Sequence, residues 1–177
     1  PFPKSVLFSA EKPDINSFEK LPFGFPMVFK RQYSSQGLGV ELITGPAMLA
    51  DRSSKCFDQH EAFLLQEFIA EANASDLRLM VIGGKLVAAM RRCAKIGEFR
   101  ANMHLGAMAS AISASEELAA LAVKAASVVG LRMAGVDIIQ AKRGPLLLEI
   151  NACPGFEALE AVSGINVAGK LLDLLTT

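Results

Sequence analysis

A chain of 177 residues is long enough for one domain or two small lobes with a core of their own. Its 18 basic and 18 acidic side chains cancel, so no global field draws it to nucleic acid or an anionic membrane, and charges interrupt every apolar run well short of a membrane span. Cys56, Cys93 and Cys153 are far apart and lack metal-ligand spacing, which suits a reducing cytoplasm and argues against disulfides or zinc. The first residues lack the apolar core of a signal peptide, and an opening proline without an initiator methionine reads as a fragment or a processed chain.

In chain order, helices and strands alternate without an internal repeat. A short polar helix is expected near Asp14–Leu21, then a strand Pro26–Lys30 ending in its lysine. Gln36-Gly-Leu-Gly39 is a glycine loop leading into a strand Val40–Ile43. Pro46–Lys55 reads as a helix with Pro46 in its first turn, and Ala62–Ile69 as an apolar strand. Leu77–Ile82 and Leu86–Arg92 flank a Gly83-Gly84-Lys85 turn and form a hairpin. Phe99–Ser110 has no period and reads as a long loop. Ser113-Ala-Ser-Glu116 matches a capping box that starts a helix running to Val129, with Gly130 as its stop. A second hairpin follows, then a loop over 152–165 and a closing helix near Val167–Leu175.

That second hairpin, Ala134 to Asn151, carries the most chemistry. Pairing its strands about a three-residue turn Lys142-Arg143-Gly144 sets Asp137 opposite Glu149, and the period of two puts Asn151 on the face of Glu149. Gly144 suits the positive φ such a turn needs at its end. Two facing carboxylates among Val136, Ile138, Leu148 and Ile150 repel, and burial adds a desolvation cost. A hard divalent cation with oxygen ligands removes both problems, and magnesium is the usual choice when phosphates complete the shell. Asp137→Asn is then expected to leave the fold intact and even to relieve the apo chain. The alternative is a solvated sheet face whose acidic pair merely aligns.

Lys30 closes the run Met27-Val28-Phe29, so its ammonium is expected to emerge from a sheet edge, with Gln36, Gly37 and Gly39 supplying backbone that approaches an anion closely. Ser34 and Ser35 add hydroxyls. This is no Walker A loop, because the lysine precedes the glycines, and a flexible turn with an exposed lysine accounts for it at least as well. Asp76 and Arg78 share one strand face, whereas Arg91 and Arg92 point to opposite faces, so at most one of those two joins a site there. Arg100, Asn102 and His104 sit in the long loop. Gln66-Glu67 interrupts a buried strand, which suggests an edge whose backbone pairs with a planar heterocycle. No serine or cysteine triad is credible.

Eight ordered blocks then resemble a known family: Phe29-Lys30, Gln36-Gly-Leu-Gly-Val40, Gln66-Glu-Phe-Ile69, Asp76-Leu-Arg78, Ala88-Ala-Met-Arg-Arg92, Gly97-Glu-Phe-Arg-Ala-Asn102, Ala134-Gly-Val-Asp137 and Glu149-Ile-Asn-Ala-Cys-Pro-Gly155. Over almost the whole chain they resemble the ATP-grasp ligases, most closely the RimK-type α-L-glutamate ligases. The resemblance implies an α+β ATP-grasp fold of two α/β lobes with largely antiparallel sheets clasping a nucleotide, residues 1–69 and 70–177. It implies that Lys30, with Gln36 and Gly37 of the loop, holds ATP phosphates, and that Gln66, Glu67 and Phe68 form the adenine-facing hinge. Asp76 would hold the ribose, Arg100 and Asn102 the phosphates. Arg92 and Arg100 are the implied catalytic arginines, with Arg92 steadying an acyl phosphate. Asp137, Glu149 and Asn151 would bind two magnesium ions, with manganese as a substitute.

The implied reaction activates a carboxylate with ATP and forms an amide with an amine, typically adding glutamate to the C-terminus of a peptide or protein. Ser34 stands where the family's loop usually has glycine, and Cys153 where it commonly has serine. The family also carries a domain ahead of this region, so an upstream domain or a homo-oligomer is expected to be needed for turnover. The competing expectation is a nucleotide-binding module without ligase activity.

Overall fold

The computed structural model describes residues 1–11, 17–33 and 37–176. It divides into two compact units, residues 2–70 and residues 71–177 together with Pro1. Among the described residues no helix is long and apolar enough to cross a membrane.

In the first unit, strands β1 (Ser5–Phe8), β2 (Met27–Arg31), β3 (Val40–Ile43) and β4 (Phe63–Glu67) form an antiparallel sheet in the order β1-β4-β2-β3. Helix α1 (Pro46–Asp58) covers one face, its Leu49 and Cys56 packing with Phe8, Met27, Phe29, Ile43, Phe63 and Leu65. Pro46 sits in the first turn, where its missing N–H costs nothing. Alternation places Lys30, opposite Val40 and Leu64, on the other face. Two expectations need correcting. Strand β2 lies between β4 and β3, and β4 between β1 and β2, so neither Lys30 nor Gln66-Glu67 marks a sheet edge. Strand β1 itself was not foreseen. Of the helix expected at Asp14–Leu21, residues 14–16 lie outside the described residues, as do Ser34, Ser35 and Gln36, and residues 17–20 form turns.

The second unit is built on a five-stranded antiparallel sheet from β5 (Ser75–Ile82), β6 (Lys85–Cys93), β7 (Met108–Ala111), β8 (Met133–Ala141) and β9 (Gly144–Asn151), ordered β7-β6-β5-β8-β9. Helix α2 (Glu116–Val128) covers one face, against Leu77, Leu79, Val81, Val136, Ile138 and Leu147. On the other face α3 (Glu157–Ser163) and α4 (Val167–Leu175) cover only the end formed by Met80, Ile82, Ala88 and Met90. The rest of that face carries the charges described below. The long loop expected at Phe99–Ser110 contains a short 3-10 helix, Met103–Leu105, and the start of β7. The cap of α2 is Ser115, whose side chain accepts from Leu118 N, and not Ser113. The loop expected over 152–165 contains α3.

Candidate functional site

Strands β8 and β9 join through a two-residue turn, Lys142-Arg143, with Ala141 opposite Gly144 (φ +107°). A regular ladder from that turn would put Asp137 opposite Leu148. A β-bulge at Leu148 takes up one residue, so that Asp137 faces Glu149, Val136 faces Ile150 and Gly135 faces Asn151. The core confirms the shift of phase: Leu147 and Ile150, three residues apart, both pack on the α2 side. The expected pairing is present, but a bulge produces it in place of a three-residue turn. A Cβ on Gly135 would stand 2.6 Å from Cβ of Pro154 and 3.5 Å from Cδ of Arg78, so only glycine lets the turn after β9 pack so closely on β8.

The charged end of this face is a closed network. Asp76 lies directly opposite Arg92 across β5 and β6, and Arg78 directly opposite Asp137 across β5 and β8. Arg92 grips Asp76 through Nε and Nη2, both at 2.7 Å. Arg78 grips Asp137 in the same way, Nε to Oδ1 at 2.6 Å and Nη2 to Oδ2 at 2.7 Å. Nη2 of Arg92 also reaches Oδ2 of Asp137 at 2.9 Å, joining the two pairs. All four side chains are at most 14% exposed. Glu149, across from Asp137, is exposed. The expectation of two buried carboxylates repelling each other is therefore overturned. Asp137 is buried against two guanidiniums, and Glu149 is free to be solvated.

Burial pushes the Asp76 carboxyl up to about 6 against the pull of Arg92, which leaves it ionised at neutral pH. Burial also works against the Arg92 charge, but the carboxylates of Asp137 and Asp76 more than offset it and hold the guanidinium charged beyond its ordinary range. Arg91, on the opposite face, is exposed.

Other residues from the sequence analysis have local partners. Gln66 is buried and its Nε2 donates to Ser5 Oγ at 2.9 Å; Glu67 Oε1 accepts from Lys4 N at 2.6 Å, and Glu67 N donates to Lys4 O at 2.9 Å. These bonds to β1 and the residue before it give the polar interruption of β4 partners inside the sheet. Asn102 caps the 3-10 helix by accepting from His104 N. Arg100 pairs with Glu98, Nη2 to Oε2 at 2.7 Å, while the backbone N–H groups of Phe99 and Arg100 also donate to that carboxylate. Chiefly through Arg100, the Glu98 carboxyl falls from 4.5 to about 2. A carboxyl lowered on folding contributes stability above its unfolded value and loses it as pH falls through its folded one. Glu98→Gln is therefore expected to cost about 1–2 kcal/mol near pH 7, since two residues so close in sequence keep some of their contact unfolded, and almost nothing near pH 2. Urea denaturation at the two pH values checks this, and an equal cost at both would count against the pairing.

Asp137, Glu149 and Asn151 form a hard-oxygen donor set on one face. Asn151 Nδ2 is buried with no hydrogen-bond partner among the described residues. Among the described residues no group of three or more His, Cys, Asp or Glu side chains is placed to hold a metal. Two carboxylates and an amide fit magnesium only where phosphate oxygens and water complete its shell.

Two antiparallel sheets, one with a charged face half-covered by helices, have clear counterparts among solved structures. The ATP-grasp ligase PsnB, in complex with a phosphomimetic variant of its minimal precursor, Mg and ADP, superposes with a TM-score of 0.76 at 25% identity, over 99% of this chain and 53% of that one. The fold is thus the ATP-grasp fold. A probable alpha-L-glutamate ligase of Aeromonas salmonicida (strain A449) is 46% identical over 152 residues, 86% of this chain and 51% of that protein. One from Legionella pneumophila (strain Corby) is 41% identical over 168 residues, 95% of this chain and 56% of that protein. The model of the RimK-like ATP-grasp domain matches residues 1–175, and the chain belongs to that family. It spans about half the length of these curated relatives.

Proposed function

We propose that the chain is the ATP-grasp portion of an ATP-dependent carboxylate–amine ligase that adds glutamate to a carboxylate-terminated acceptor, a peptide or protein. Membership of a family whose relatives are named alpha-L-glutamate ligases supports this reading, and the observation that carries it is the charged face of the second sheet. A carboxylate oxygen of the acceptor attacks the γ-phosphorus of ATP, the bond to the β–γ bridging oxygen breaks, and ADP leaves. The glutamate amine then attacks the acyl carbon, loses a proton and expels phosphate. Nothing in this sequence needs a nucleophilic side chain; it needs positioning and neutralisation of charge on a phosphoryl group in transfer.

In this reading Arg92 and Arg100 steady the phosphoryl group, and Lys30, Gly37, Arg100 and Asn102 hold phosphates, with Gln36 of the same loop. Gln66, Glu67 and Phe68 present the adenine-facing segment. Asp137, Glu149 and Asn151 would hold magnesium, two ions or manganese in its stead, which would supply positive charge to offset that of the phosphates. Asp76 is assigned the ribose, although its carboxylate is engaged by Arg92. A cytoplasmic location and a need for an upstream domain or a second copy for turnover complete the proposal.

Titration calorimetry with Mg–ADP, run beside a ligation assay with glutamate and a glutamate-terminated peptide, separates a ligase from a module that only binds nucleotide. Lys30→Met adds a sharper expectation. Losing one charged contact to phosphate should weaken ATP binding about tenfold or more while leaving adenosine nearly unaffected. Equal losses for both ligands would show that Lys30 acts through structure.

A further inference from the structure

Arg78 carries no role in the proposal above, yet it makes the closest contact of any residue with Asp137. A carboxylate offers about four lone-pair sites. The Arg78 fork takes one on each oxygen, at 2.6 and 2.7 Å, and Nη2 of Arg92 makes an ion-pair contact with Oδ2 at 2.9 Å. Among the described residues Oδ1 meets only Arg78 Nε, which leaves it a lone pair to present. The charges close in the same way: Asp76 and Asp137 are matched by Arg78 and Arg92 in a buried cluster, and the exposed Glu149 is the carboxylate outside it.

We propose that Arg78 is a positioning residue that decides the form in which a divalent cation is accepted at Asp137. It holds the carboxylate in a single plane with one Oδ1 lone pair presented, and it cancels the charge that would otherwise attract a bare cation. A bare ion with two positive charges approaching Oδ1 meets a cluster whose two guanidiniums already balance its two carboxylates, so little net field repays its dehydration. A cation already bound to a nucleoside diphosphate carries net negative charge, which this neutral cluster does not repel, and it keeps oxygen ligands of its own. The site therefore rejects free metal and takes a metal–phosphate complex. This inference rests on the nucleotide reading proposed above.

The test uses the 177-residue chain, with Mn2+ alone followed by electron paramagnetic resonance and Mn–ADP followed by calorimetry. Arg78→Gln removes the charge and keeps a donor to Asp137; Arg78→Lys keeps the charge and loses the fork. Arg78→Gln is expected to bind bare Mn2+ about tenfold tighter and Mn–ADP about tenfold weaker, with Arg78→Lys restoring most of the original preference. A purely structural role would weaken both ligands together in Arg78→Gln, and that result would overturn the proposal. So would an unchanged ratio, or Arg78→Lys behaving like Arg78→Gln. The unmutated chain gives an answer that needs no variant: bare Mn2+ held as tightly as Mn–ADP would overturn the role of Arg78 alone. Failure of the unmutated chain to hold Mn–ADP at all would overturn the nucleotide reading, and this inference with it.

Discussion

Asp137→Asn is expected to destabilise the second unit by about 3–5 kcal/mol, the cost of removing one partner from a buried charge cluster. The substitution is isosteric, but it turns one acceptor oxygen into a donor. That donor then faces an N–H of Arg78 or Arg92, and two guanidiniums are left to share Asp76. This reverses the expectation from sequence, in which relief of repulsion with Glu149 would spare or even help the apo chain. Urea denaturation followed by circular dichroism measures the difference. A midpoint equal to or above that of the unmutated chain would show that the arginine contacts are marginal and that repulsion from Glu149 dominates after all.

Phe63→Ala is expected to have an effect of similar size in the other unit. The side chain is fully buried, stacked on Phe29 at a centroid distance of 4.7 Å and on Phe8 at 5.1 Å, with the ring of Phe57 edge-on at 5.5 Å. Truncation removes the ring that three others share, and such cavities cost about 3–5 kcal/mol. Hydrogen exchange should show amide protection in β2 and β4 falling about a hundredfold or more, with β5 and β8 far less affected. A loss below tenfold, or one spread evenly over both sheets, would contradict a separate aromatic core.

Where local pattern and local structure coincide, the sequence was readable. The strand Val40–Ile43 and the helix Val167–Leu175 have the bounds expected of them, and the Ser75–Cys93 hairpin follows from alternation about two glycines. Met108–Ala111 was missed because four residues of methionine, alanine and serine at a sheet edge carry neither alternation nor β-branched side chains. Helix α3 has seven residues and no side-chain cap, too little to stand out from a loop. At the site, the residue types were legible and their partners were not. That Asp137 meets Arg78 and Arg92 depends on β5 lying between β6 and β8, a fact of strand order that no spacing along the chain reveals. The expectation of a sheet edge at Gln66-Glu67 fails for the same reason, since their partners Ser5 and Lys4 lie some sixty residues away.

The bulge at Leu148 gives the last hairpin a margin that a regular ladder would lack. Reached through a three-residue turn with no bulge, or through a two-residue turn with one, Glu149 and Asn151 meet the same neighbours on β8. The turn at Lys142-Arg143 can thus gain a residue and the ladder absorb it at Leu148, without rotating Glu149 or Asn151 onto the face of α2. Change in loop length at the far end of the hairpin is insulated from the charged face at the near end by a single residue of slack.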